Sequence, residues 1–138
     1  MTDLLFVYGT LMASDTTAIG IPMRARLQRE ARSLGAATAQ GRLYTLGGYP
    51  GMTGSDEPGD VVHGEVYRLA QAGPTLAWLD EYEGISRGAT SAGAPDEYRR
   101  AETDVRLTDG TVLRCWVYFY QKALPAGARI GDGRWQGV

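Results

Sequence analysis

The chain has 138 residues, 43% of them hydrophobic, and carries a net charge of −2 from 14 basic and 16 acidic residues. That length suits one domain, residues 1–138, with enough apolar material for a sizeable core. The interspersed charges leave no footprint for nucleic acid, and no apolar run approaches the ~20 residues of a membrane-spanning helix, so neither is an expected partner.

The lone Cys115 excludes an internal disulfide, and Met1 is followed by Thr2-Asp3 without a basic or apolar leader. A soluble, cytoplasmic protein is the expectation. The 19 glycines fall mostly between apolar segments and follow no period, which predicts short strands with tight connections and no internal repeat.

In chain order, Leu4-Leu5-Phe6-Val7 reads as a buried strand that stops at Tyr8-Gly9-Thr10-Leu11, where backbone N–H groups can turn outward to hold an anion. Pro22 opens a helix, and Met23, Leu27, Ala31 and Leu34 recur at helical spacing before Gly35. Arg24, Arg26, Arg29 and Arg32 spread around the rest of that helix and read as a solvated face. Residues 37–46 read as a strand. Gly47-Gly48-Tyr49-Pro50-Gly51 is too rich in glycine and proline to continue a sheet and reads as a loop. Residues 60–69 form a β-branched, half-alternating strand in which Gly64 marks a bulge or a close approach to the backbone, consistent with a curved, barrel-like sheet.

From 73 to 83 the pattern turns helical. At 100° per residue Ala72, Leu76, Leu79 and Tyr82 gather on one side, and Glu83 falls among them. Glu81 projects to the opposite face, and Asp80 sits at the margin. Desolvation raises a carboxyl pKa, and the negative end of the helix dipole acts in the same direction, so Glu83 has the placement of a group that trades protons near neutral pH. A glutamate beside Gly84 also fits a helix end fraying into water, and the wheel alone leaves both readings open. An anion cradle plus one desolvated carboxylate would suffice for proton transfer on an acyl group.

Residues 85–97 are small, polar and unpatterned, and read as a loop. Beyond them, Tyr98–Leu107 and residues 111–120 flank Asp109-Gly110, a strong hairpin signal. The second of these strands has apolar residues on both faces and reads as central. Residues 130–138 lack periodicity, with Trp135 able to dock back on the domain.

Among the remaining polar residues, Tyr118 fits either a ligand contact or a packing residue with its hydroxyl at a rim. Arg100 fits either a carboxylate clamp or a partner for an acidic surface neighbour. His63, the only histidine, excludes a His-based metal cluster and has no nucleophile-elbow sequence beside it, so it reads as a hydrogen-bonded strand residue. Cys115 lies in an apolar strand with no cation on its own face and reads as packing.

Five segments occur in order: Val7-Tyr8-Gly9-Thr10-Leu11, His63-Gly64-Glu65-Val66-Tyr67, Leu79-Asp80-Glu81-Tyr82-Glu83, Tyr98-Arg99-Arg100 and Cys115-Trp116-Val117-Tyr118. In these the chain resembles the gamma-glutamylcyclotransferase-like superfamily over most of its length. The resemblance implies an α+β fold, a small mixed β-barrel with flanking helices whose cavity holds a gamma-glutamyl group. It also implies that Tyr8, Gly9, Thr10 and Leu11 present backbone N–H groups to the ligand's carboxylate, and that Glu83 is the catalytic glutamate. Arg100 and Tyr118 are secondary candidates for substrate binding.

The expected function is conversion of a gamma-glutamyl amine or small gamma-glutamyl peptide to 5-oxoproline and free amine or amino acid. The reaction is intramolecular, so the protein has to fold the substrate and manage protons, and no metal or organic cofactor is required. The alternatives are a non-catalytic module binding a small carboxylate or amino-acid-like metabolite in the same cavity, and a hydrolase releasing glutamate.

Overall fold

The structure, a computed structural model, describes residues 2–9, 21–46, 49–82 and 98–135. The apolar run at the amino end is β1 (Leu4–Val7), and all four of its side chains are buried. Successive strand residues point to opposite faces, so both sides of the sheet are covered here. β1 pairs antiparallel with β5 (Val61–Leu69) and parallel with β7 (Val112–Tyr120). From β5 the ladder passes to β2 (Ala31–Gln40), then β6 (Tyr98–Leu107), then back to β7, which closes a five-stranded barrel. β4 (Pro50–Thr53), β3 (Arg42–Thr45) and β8 (Arg129–Ile130) extend the sheet outward from β7. With α1 (Ile21–Glu30) and α2 (Ala72–Tyr82) this is the expected small α+β architecture.

The core follows from strand alternation. Leu5, Phe6, Val62, Val66, Val105, Cys115 and Val117 are at most 1% exposed, and full burial of a side chain such as Leu or Val contributes about 1.5–3 kcal/mol. The hairpin forms as its Asp-Gly signal predicts, pairing Tyr98 with Tyr120 through to Arg106 with Val112. β7 also pairs with β1 and β4, which makes it central. Gly64 marks a close approach: a Cβ there would collide with the Val7 carbonyl oxygen and come within 2.8 Å of the Phe6 ring.

Four sequence expectations are corrected. The first helix ends at Glu30, four residues short of Leu34, because residues 31–40 pair along the whole of β5. The register shifts between Ser33 and Gly35, so Leu34 occupies a bulge, and its helical spacing from Met23 is coincidental. The strand expected over 37–46 is interrupted at Gly41 and becomes the end of β2 plus β3. Pro50 and Gly51, expected in a loop, begin β4. Proline is tolerated at the first position of a strand, and Gly51 lies against Tyr120, where a Cβ would be only 2.9 Å from the Tyr120 Cβ. Finally, the unpatterned tail contributes β8, which pairs with β3. Trp135 does dock, at 7% exposure. Gly47, Gly48 and residues 85–97 lie outside the described residues.

Candidate functional site

The site is built where β1 ends. Tyr8 is buried, and its hydroxyl donates to the Tyr118 carbonyl at 2.6 Å and accepts from the Met52 N–H at 3.2 Å. One side chain thereby satisfies backbone groups of both β4 and β7 where their ladder contains a single pairing, Met52 with Phe119. Gly9 follows, pressed onto Pro50: a Cβ there would lie 2.6 Å from the proline Cγ. Any side chain would force the two segments apart. The Pro50 carbonyl in turn accepts from the Tyr98 hydroxyl at 2.7 Å, and the Tyr98 ring meets Tyr120 edge-on at 5.5 Å. The end of β1, the start of β4, the start of β6 and the end of β7 are thus drawn together on one rim.

The last turn of α2 reaches the same rim. The Asp80 carboxylate accepts from the Tyr118 hydroxyl at 2.6 Å and from Arg100 Nε and Nη2 at 2.8 and 3.2 Å. The Arg100 guanidinium lies over the Trp116 ring, 4.4 Å from its centroid. Arg100 and Tyr118 are cross-strand partners, so the hairpin register alone sets them side by side. The two-point Arg–carboxylate geometry fixes orientation as well as supplying energy.

Asp80 is a further correction to the sequence reading. The helical wheel places it at the margin, yet it is only 5% exposed. Apolar periodicity cannot register an aspartate that is buried because a tyrosine and an arginine meet it. The buried arc of α2 also takes in Thr75 and Trp78, wider than one apolar stripe, since side chains of α1 meet the helix on a second side. There Glu30 accepts from Thr75 Oγ1 at 2.7 Å, Trp78 Nε1 at 2.8 Å and Arg26 Nε at 3.0 Å. The Thr75 bond first, then the Trp78 bond, lower its carboxyl from 4.5 to about 2.

Of the residues singled out from the sequence, Tyr8, Gly9, Arg100 and Tyr118 converge as described. Arg100 engages a buried aspartate rather than a surface one. Tyr118 is 4% exposed, its hydroxyl committed to Asp80. Thr10, Leu11 and Glu83 lie outside the described residues. Glu81 is exposed. The sequence reading missed Asp80, Tyr98, Pro50 and Trp116. Tyr98 and Trp116 fall within quoted segments, but nothing in the pattern indicates what they touch.

Among the described residues, nothing comparable forms around Cys115 or His63. Burial, then the Asp104 charge, pushes the Cys115 thiol up to about 12, so it stays protonated at neutral pH. Burial, then Arg134, lowers the His63 pKa, and its backbone N–H donates to Gly133 O at 2.8 Å. Among the described residues no group of three or more His, Cys, Asp or Glu could hold a metal ion, and no helix is long and apolar enough to cross a membrane. A groove of about 920 Å³ runs past Arg42, Ser55, Asp104 and Arg114. Two of its arginines are paired, Arg42 with Asp60 at 2.6 Å and Arg114 with Asp104 at 3.2 Å.

Residues 5–137 match the family model described as "Gamma-glutamyl cyclotransferase, AIG2-like". Among solved structures, YkqA from Bacillus subtilis superposes with a TM-score of 0.67 at 23% identity over 98% of this chain, which spans 40% of the length of YkqA. An AIG2-like protein from Mus musculus gives 0.65 at 21% identity, covering 89% of this chain and 80% of the mouse chain. A gamma-glutamyl cyclotransferase gives 0.59 at 22%, covering 86% of this chain and 66% of that one. These likenesses show the fold. No curated protein matches the chain.

Proposed function

The chain belongs to the AIG2-like gamma-glutamyl cyclotransferase family, and from that premise we propose that it converts a gamma-glutamyl amine or small gamma-glutamyl peptide to 5-oxoproline. The observation that carries the reading is the double engagement of Tyr118. Its carbonyl holds Tyr8, at the mouth of the Tyr8-Gly9-Thr10-Leu11 loop, while its hydroxyl holds Asp80, three residues before Glu83. One residue thereby ties the strand that leads into the candidate anion cradle to the helix that leads into the candidate carboxylate.

In the proposed reaction the backbone N–H groups of the loop hold the substrate's α-carboxylate. Glu83, ionised, takes a proton from the α-ammonium. The freed nitrogen attacks the γ-carbonyl, an N–C bond forms, and the five-membered ring closes. The bond from that carbon to the departing nitrogen then breaks as Glu83 returns the proton to the leaving group, and the ring nitrogen sheds its second proton to the released amine or to solvent. Nucleophile and electrophile belong to one molecule, so fixing the attacking conformer supplies much of the acceleration. Proton transfer through Glu83 contributes about 10²–10⁴-fold. Arg100, with 23% of its side chain exposed beside Tyr118, is assigned a secondary contact to the substrate.

The test is product analysis with a panel of gamma-glutamyl amines and dipeptides. Release of 5-oxoproline supports the reading and identifies the leaving-group class. Release of glutamate would make the protein a hydrolase, and ligand binding without any product would make it a binding module.

A further inference from the structure

We propose that Asp80 is a positioning residue: the Arg100–Asp80–Tyr118 cluster latches α2 to the barrel at residue 80 and thereby limits where Glu83, three residues on, is placed for the reaction. The inference rests on the cyclotransferase reading, with Glu83 as the proton-transfer group, and goes beyond it by assigning that group's support.

Three observations carry it. Asp80 lies in the last turn of α2, with two helical residues beyond it, and three peptide units span at most about 11 Å, so a constraint at residue 80 bears directly on residue 83. The contacts come from a rigid element, since Arg100 and Tyr118 face each other across the β6–β7 ladder and Tyr118 is itself held through its carbonyl by Tyr8. The chemistry is also directional. Arg100 approaches the carboxylate through two nitrogens, the Tyr118 hydroxyl donates to Oδ1, and the guanidinium is seated on Trp116. Such an arrangement fixes the rotation of the helix end as well as its distance. Elsewhere on α2, Glu30 holds Thr75 and Trp78 from α1. That second attachment holds the helix at Thr75 and Trp78 rather than at residue 80, which makes it the natural control.

Asp80→Asn keeps the shape of the side chain but leaves one acceptor oxygen for the donors of Arg100 and Tyr118. With the best gamma-glutamyl substrate, kcat should fall by about 10–100-fold, the scale of a roughly 1 Å misplacement, with KM changed little. Amide exchange at 80–82 should accelerate while exchange over the first turns of α2 stays as it was. Asp80→Asn combined with Arg100→Gln should be no slower than the worse single variant, because the two residues act as one unit. Glu30→Gln should lower the melting temperature with kcat retained. Faster exchange at 80–82 with an unaltered kcat would overturn the proposal, as would unaltered exchange, or an equal loss of kcat in Glu30→Gln. Absence of turnover by the wild-type protein across the panel would instead sink the cyclotransferase reading, and the exchange data would then decide the latch alone.

Discussion

Two carboxylates hold α2, and they do so on different terms. Glu30 closes α1 and gathers a threonine, an indole and an arginine from the helix pair, with 32% of its side chain still in contact with solvent. Asp80 belongs to α2 itself and faces the barrel, with 6% of its side chain exposed and its arginine on an aromatic face. The first resembles the ordinary stitching of two helices. The second places charge where water is scarce, and a buried ion pair is an inefficient way to gain stability compared with apolar packing. Its use at the rim, next to the family's loop and helix motifs, is explained by orientation rather than by strength.

The contrast can be broken or sharpened by substitution. The largest stability effect should come from Asp80→Ala, which leaves Arg100 half-buried without its counter-charge, and loss of one partner from a buried pair costs about 3–5 kcal/mol. Chemical denaturation should show that loss as a lower midpoint with an unchanged slope. Glu30→Gln keeps some hydrogen bonding and should cost about 1 kcal/mol, the net worth of an ordinary hydrogen bond. A loss at Glu30 equal to that at Asp80 would erase the distinction between the two attachments.

Glu30 also has a pH signature. Its folded carboxyl lies near 2 against an ordinary 4.5, so the unfolded state binds the proton more readily. The stabilisation is therefore complete above about 4.5 and is lost as pH falls toward 2. Asp60, lowered to about 2 first by Ser55 and then by Arg42, weakens over the same interval. Melting temperatures of wild type and Glu30→Gln should converge as the pH is lowered from 5 toward 2, and a gap that stays constant would contradict the Thr75 and Trp78 contacts as its source. The smallest effect belongs to Glu81→Gln. Its side chain is exposed, so stability should shift by less than about 0.5 kcal/mol and turnover should stay at the wild-type level.

The legible and illegible parts of the molecule divide along physical lines. The hairpin is written in Asp109-Gly110 and in the alternation around it, because turn and register are local. Gly64 announces a close approach, and the Val7 carbonyl and Phe6 ring supply it. Leu34 misleads because a bulged strand residue can fall on helical spacing by chance. Pro50 and Gly51 mislead because their strand is short, begins at the proline, and depends on contacts with Tyr8 and Tyr98 that span 44 and 48 residues of sequence. Asp80 is hidden for a related reason. Its burial depends on Arg100 and Tyr118, and nothing local to α2 records that they will be there. The loop and helix segments of the candidate site are readable as motifs, whereas the contacts that join β1 to α2 through Tyr118 are not.

The most direct measurement is the rate of 5-oxoproline formation by wild-type protein and Glu83→Gln, with the best substrate of the panel, alongside calorimetric binding of the same ligand. The account predicts that Glu83→Gln binds with comparable affinity and loses about 10²–10⁴-fold in turnover. Full turnover by Glu83→Gln would remove that residue from the mechanism and contradict the account.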